Sequence, residues 1–102
     1  MATTMTLGGF GETKLATPEI QKIVDEVKSQ FEQMTNEKYD CFRAENYRGQ
    51  VVQGMNYLVK VHLGNDCYAH LMIFVPLPVT KEPLKVTDYQ IGKTKDDELI
   101  VF

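Results

Sequence analysis

Gln50-Val51-Val52-Gln53-Gly54 lies between two strand-like segments, at a position where a hairpin turn is expected. Turns favour glycine, asparagine, aspartate and proline, so two adjacent β-branched valines at a turn tip are unusual. Exposing their apolar side chains to water costs free energy, which burial against a binding surface would recover. The segment, called the first loop below, therefore predicts both a β-hairpin and a contact with a partner.

The segments on either side of the first loop alternate between apolar and polar residues, which is the period of a β-strand. The Gly64-Asn65-Asp66 turn and a proline-containing loop at 76–83, called the second loop below, separate further strands. The four predicted strands are 39–48, 55–63, 67–75 and 84–90. We expect residues 99–102 to close the edge of the sheet.

A segment before these strands has the period of an amphipathic helix. Thr17 is a predicted N-cap, and Pro18 suits the first helical position because its missing N–H would be unpaired there anyway. Apolar residues then recur at helical spacing, at Ile20, Ile23, Val24, Val27, Phe31 and Met34. We predict one helix of about 18 residues that ends near Asn36.

These elements predict an α+β fold in which an antiparallel β-sheet of four to five strands wraps around one α-helix. The apolar stripe of the helix is expected to cover one face of the sheet. The opposite face carries Lys60, His62, Tyr68 and His70, so we expect that face to be largely in contact with water.

The length of 102 residues fits one domain, residues 1–102, in which 1–10 form a mobile N-terminal trunk. A net charge of −3 gives no reason to expect a nucleic acid or an anionic membrane as partner. No apolar run approaches the roughly 20 residues of a membrane span. Because no secretory signal is recognisable and Cys41 and Cys67 are expected to be free thiols, a cytoplasmic location is expected.

The residue types that carry chemistry form no convincing cluster in the sequence. Cys67 and His70 would point to opposite faces of a strand, which argues against a metal site and against a cysteine–histidine enzyme. Asp96-Asp97-Glu98 lacks the spacing of a calcium loop. We therefore expect no metal, no cofactor and no enzymatic activity.

In a meander of strands, alternate turns lie at the same end of the sheet. The first and second loops are therefore expected side by side. If residues 12–16 pair antiparallel with the first of the four strands, Gly8-Gly9 reaches the same edge. The tips of these three segments are apolar or small, which suits insertion into a cleft and lacks the acids, bases and nucleophiles of catalysis.

Together these motifs resemble those of the stefins, the intracellular type 1 cystatins. The first loop matches the Q-x-V-x-G motif of that family, Leu77-Pro78 matches its second loop, and Gly8-Gly9 matches its glycine trunk. Segments 16–21 and 95–99 are similar to stefin A in particular. The resemblance extends from about Gly8 to Phe102.

The resemblance implies a reversible, tight-binding, non-covalent competitive inhibitor of papain-like cysteine proteases such as lysosomal cathepsins. The implied protease-binding residues are Gly8, Gly9, Gln50, Val51, Val52, Gln53, Gly54, Leu77 and Pro78. The alternative is a non-inhibitory protein-binding or structural module on the same fold. Gln53, Pro76 and residues 1–4 depart from the usual stefin pattern and bear on which cathepsin is preferred.

The expected oligomeric state is a monomer. Opening a strained first loop would merge its two flanking strands into one, which gives the further hypothesis of a domain-swapped dimer.

Overall fold

The computed structural model describes residues 9–102, so Gly8 and the start of the expected trunk lie outside the described residues. The described part contains one five-stranded antiparallel sheet, and the order of the strands in the sheet is their order in the chain. The strands are β1 (Lys14–Leu15), β2 (Arg43–Val52), β3 (Gly54–Gly64), β4 (Cys67–Val75) and β5 (Lys85–Lys93). The helices are α1 (Pro18–Glu26) and α2 (Lys28–Thr35). The predicted α+β class is confirmed.

The helix begins as the sequence predicts but is divided in two. Thr17 caps α1, since its hydroxyl oxygen accepts a bond of 3.2 Å from the Ile20 N–H. At Val27 the N–H donates to the Val24 carbonyl, three residues back, at 3.2 Å, and this tighter turn separates α1 from α2. Asn36 then ends α2 in the left-handed conformation, at φ 58°.

The inner face of the sheet, which faces the helices, forms the main core. Ile20, Val24 and Phe31 from the helices are buried against it. The sheet contributes alternate residues from β3 and β4, namely Val59, Val61, Ala69, Leu71 and Ile73. The predicted alternation is therefore observed, and helix and sheet remove each other's apolar surface from water.

The outer face of the sheet is covered, which corrects the expectation that it is largely wet. Leu58 and Met72 point outward there, and their apolar surface is buried beneath Leu99, with Phe10 and Phe102 packed around them. Lys60, Tyr68 and His70 are also buried on this face. Residues 99–102 consequently lie over the outer face and form no strand, so the prediction that they close the sheet edge is wrong.

The first and last of the four predicted strands are displaced toward the C-terminus. Residues 39–42 are not in β2, because the rings of Tyr39 and Phe42 pack on Phe31, with centroids 5.4 and 5.6 Å away. β2 instead continues through Val52, after a bulge near its start.

Candidate protein-binding edge

The first loop is the tip of the β2–β3 hairpin. Val52 pairs with Gly54, so only Gln53 lies outside the strands. Val51 is 64% exposed and Val52 is 38% exposed, so neither valine is hidden by local packing. At the base of the loop, the Asn56 side-chain amide donates to the Gln50 Oε1 at 2.8 Å, which fixes the hairpin end.

Gly54 joins the first loop to the start of the second. Its φ of +116° belongs to glycine, and a Cβ at this position would collide with the Val75 carbonyl oxygen. The same Cβ would lie 3.1 Å from the Pro76 Cα. The two loop bases are therefore packed backbone to backbone, which confirms that the topology places them side by side.

The second loop contains one turn of 3-10 helix, Pro78–Thr80. The Thr80 N–H and hydroxyl both donate to the Leu77 carbonyl, at 3.0 and 2.8 Å. Leu77 is 45% exposed. Its side chain, with those of Val51 and Val52, forms what is called the apolar edge below.

The N-terminal segment runs along β2 toward the first loop. β1 pairs antiparallel with β2, with Lys14 opposite Tyr47. The Gly11 N–H donates to the Gly49 carbonyl at 2.8 Å, which lies one residue before the first loop. Gly9 is exposed. The structure thus brings the described end of the trunk to the same end of the sheet as both loops.

Arg48 holds the N-terminal segment in place, a role the sequence did not indicate. Its Nε donates to the Gly11 carbonyl and its Nη1 to the Leu99 carbonyl, each at 2.8 Å. One guanidinium therefore connects β2 to the segment that follows the trunk and to the C-terminal cover of the outer face. An arginine inside a polar stretch of strand carries no sequence signal for such a contact.

Charge is absent from the tips of both loops. Residues 50–54 and 76–80 contain no aspartate, glutamate, histidine, lysine, arginine or cysteine. The strongly shifted titratable group lies elsewhere: burial, with help from Lys93 and Lys60, lowers the pKa of His70 to about 4. That histidine is buried on the outer face of the sheet, so the edge itself offers contact surface and no acid–base chemistry.

Other kinds of site find no support in the described part of the chain. Among residues 9–102, no group of three or more histidine, cysteine, aspartate or glutamate side chains could hold a metal ion. Within the same range, no helix is long and apolar enough to cross a membrane. Cys41 and Cys67 are both free thiols.

A family model and several known proteins match most of this chain, and their names agree with one another. Residues 8–96 match the family model described as Cystatin domain. The chain is 53% identical over 95 residues to Cystatin-A of Homo sapiens, covering 93% of this chain and 97% of that protein. It is 51% identical over 98 residues to Leukocyte cysteine proteinase inhibitor 1 of Sus scrofa, with 96% and 95% covered. It is 48% identical over 96 residues to Stefin-C of Bos taurus, with 94% and 95% covered.

Proposed function

This chain belongs to the cystatin family, and on that premise we propose that it is a reversible, tight-binding, non-covalent competitive inhibitor of papain-like cysteine proteases. The relative named Leukocyte cysteine proteinase inhibitor 1 supports this target class. The relatives are named as cystatins and as a cysteine proteinase inhibitor and not as enzymes, in agreement with the sequence, which predicts no enzymatic activity.

The apolar edge is the observation that carries the proposal. The three side chains of the apolar edge are exposed on two loops, and the contact of Gly54 with Val75 fixes the loops relative to each other. When a cleft buries such a rigid apolar surface, apolar area is removed from water, and this favours binding. The edge would fill the protease cleft as a wedge and exclude substrate, which makes the inhibition competitive.

The shape of the tips supports the expectation that the protease does not cleave the inhibitor. Gln53 lies in a tight bend and Pro78 in a 3-10 turn, whereas a protease substrate is bound in an extended conformation. The protease thiol would thus face a turn and no productively aligned peptide bond. The tips carry no group more electrophilic than an amide carbonyl, so we expect the complex to be non-covalent.

The trunk would occupy the cleft on the other side of the catalytic thiol. Glycines allow close backbone approach to a partner because they lack a Cβ. Gly9 is exposed, two residues before the anchored Gly11, and the resemblance adds Gly8 to the proposed contact. The preformed loops lower the ordering cost of binding, and a dissociation constant in the nanomolar range corresponds to about −12 kcal/mol.

Titration of papain with the purified protein is the direct test. We expect competitive inhibition with a nanomolar or lower inhibition constant, and mass spectrometry should recover the inhibitor uncleaved. Val52→Asp should weaken inhibition at least a hundredfold because it buries a charge in the cleft. Ile91→Asp is the matched control, since Ile91 is an exposed aliphatic residue at the opposite end of the sheet. No inhibition by the wild type at micromolar concentration would leave only a non-inhibitory module.

The trunk is tested separately with Gly8→Glu. We expect weaker inhibition through steric conflict in the cleft. An inhibition constant identical to that of the wild type would show that the trunk is not engaged, while the loops would still account for inhibition.

The proposal also includes the oligomeric state of the protein, its location and its target enzymes. It would act as a monomer in the cytoplasm on cathepsins, and a cathepsin panel would establish the preferred enzyme. The turn at Gln53 is short and tight, so its opening would give the domain-swapped dimer. Light scattering after mild heating tests this, and a strictly monomeric population would rule against the dimer.

A further inference from the structure

Val79 is the most exposed of the large hydrophobic residues in the described part of the chain. Its side chain is 82% exposed, more than that of Leu77 or of either valine of the first loop. It follows the Leu77-Pro78 pair directly, yet neither the predicted motifs nor the family comparison assigns it a role. Like the residues of the apolar edge, Val79 exposes an apolar side chain to water. This exposure costs free energy until a partner buries the side chain.

The backbone around Val79 is held firmly. Val79 is the central residue of the 3-10 turn, which is closed by the Thr80 N–H on the Leu77 carbonyl at 3.0 Å. The Lys81 N–H donates to the Pro78 carbonyl at 3.1 Å. Pro78 has a fixed φ, and a β-branched side chain has few rotamers. Little conformational freedom remains for Val79 to lose on binding.

The surroundings of Val79 have the pattern of a contact residue. Leu77, two residues before Val79, belongs to the apolar edge, and both side chains are exposed. On its C-terminal side the exposed Lys81 and Glu82 carry charge. Apolar anchors bordered by polar residues are the usual arrangement of a binding interface.

We propose that Val79 is a specificity-determining contact for the protease, which rests on the proposed function. It would bind an apolar wall of the cleft beyond the position of Leu77, and it would favour proteases whose wall there is aliphatic or aromatic. A protease with a charged or strongly hydrated wall gains nothing from Val79. The discrimination therefore comes from desolvation of the valine, and it acts mainly on the dissociation rate.

The test compares Val79→Thr with the wild type on papain and on several cathepsins. Threonine keeps the shape and the β-branch and replaces one methyl group by a hydroxyl. On at least one enzyme we expect roughly tenfold weaker inhibition, through faster dissociation. Across the panel, we expect the ratio of variant to wild-type inhibition constants to differ between enzymes by threefold or more.

Ile91→Thr is the matched control. Ile91 is 58% exposed, and it lines a groove with the β3–β4 turn at the far end of the sheet. It should leave every inhibition constant unchanged. Thermal unfolding should be the same for both variants and the wild type, because neither side chain is part of the core.

The outcomes separate this inference from the proposed function. Suppose that the wild type inhibits tightly and that Val79→Thr inhibits each enzyme as strongly as the wild type does. The role of Val79 is then refuted and the proposed function stands. A uniform loss on all enzymes makes Val79 a contact and refutes its role in specificity. If the wild type does not inhibit at all, both proposals fail.

Discussion

Gly54 lies so close to the carbonyl of Val75 that its α-hydrogens fit between the two backbones and a methyl group does not. This contact joins the tip of the β2–β3 hairpin to the end of β4, where the second loop begins. The relative position of the two loops thus depends on the absence of one carbon atom.

Gly54→Ala should therefore disturb both stability and inhibition. The added Cβ meets the Val75 carbonyl, and φ is +116°, so we expect a loss of about 2–4 kcal/mol in urea unfolding. Gly92→Ala is a control for a milder positive φ, of +73°, without a steric contact, because nothing lies within 4 Å of its Cβ position. That control should lose about 1 kcal/mol and keep its inhibition constant. Equal losses in the two variants would show that the Val75 contact is unimportant.

Arg48→Met should loosen the N-terminal segment. Methionine retains an apolar stem and removes the donors to Gly11 and Leu99, so we expect a loss of about 1–2 kcal/mol. Hydrogen exchange at the Gly11 amide should quicken, and inhibition should weaken. The exposed Arg43, paired with Glu45 at 2.8 Å, provides the control: Arg43→Met should have no measurable effect. Unchanged exchange at Gly11 in the Arg48 variant would contradict the anchoring role.

His70 should make the protein less stable in acid. Its pKa falls from 6.5 to about 4 through burial and the nearby Lys93 and Lys60, which Asp97 opposes only weakly. The folded state therefore binds fewer protons than the unfolded state, so stability is complete above pH 6.5 and declines as the pH falls toward 4. Neither ring nitrogen has a hydrogen-bond partner among residues 9–102, so no bond to these residues is lost when the ring is replaced.

The size of this effect can be measured by urea unfolding at pH 7 and pH 4. A shift of this size corresponds to up to about 3 kcal/mol. His70→Leu should remove most of the difference between the two pH values. If the wild type and this variant lose stability equally in acid, another group is responsible.

Thr17→Ala should cost about 1 kcal/mol of stability because the Ile20 N–H loses its capping oxygen. Thr17→Ser keeps an oxygen in the same place and should restore most of the loss. Thermal unfolding of the three proteins checks the prediction. Since Thr17 belongs to neither loop and caps a helix, inhibition should be the same in all three.

The sequence predicts those parts of the fold whose pattern is set by local periodicity. Alternation in β3 and β4 correctly assigned the inner face, and Thr17-Pro18 correctly located the start of α1. The break at Val27 was not foreseen, because Val27 continues the apolar stripe and only its hydrogen bonding differs.

The burial of the outer face was not predicted, for a different reason. Lys60 and His70 are polar, so they indicated a wet surface, although both are buried. Lys60 donates to the Lys95 carbonyl, in a C-terminal segment without strand or helix periodicity. The contact of that segment with Leu58 and Met72 depends on tertiary structure.

The candidate site was predictable in outline and not in detail. Chain order placed the two loops together, but the close contact of Gly54 with Val75 exists only in three dimensions. Val79 was missed because a valine within a proline-containing loop can be buried or exposed, and the sequence alone does not distinguish the two.

Phe10 and Phe102 lie near opposite ends of the described chain, yet both pack on the cluster of Leu58, Met72 and Leu99. Closing a loop of roughly ninety residues costs about 4 kcal/mol in chain entropy, whereas each neighbouring strand pair closes a shorter one. Contacts between near neighbours form earlier in folding than distant ones. The two loops should therefore take shape with their hairpins, and the N-terminal segment should dock last. The segment that docks last in folding is also expected to be the first to detach in native-state fluctuations.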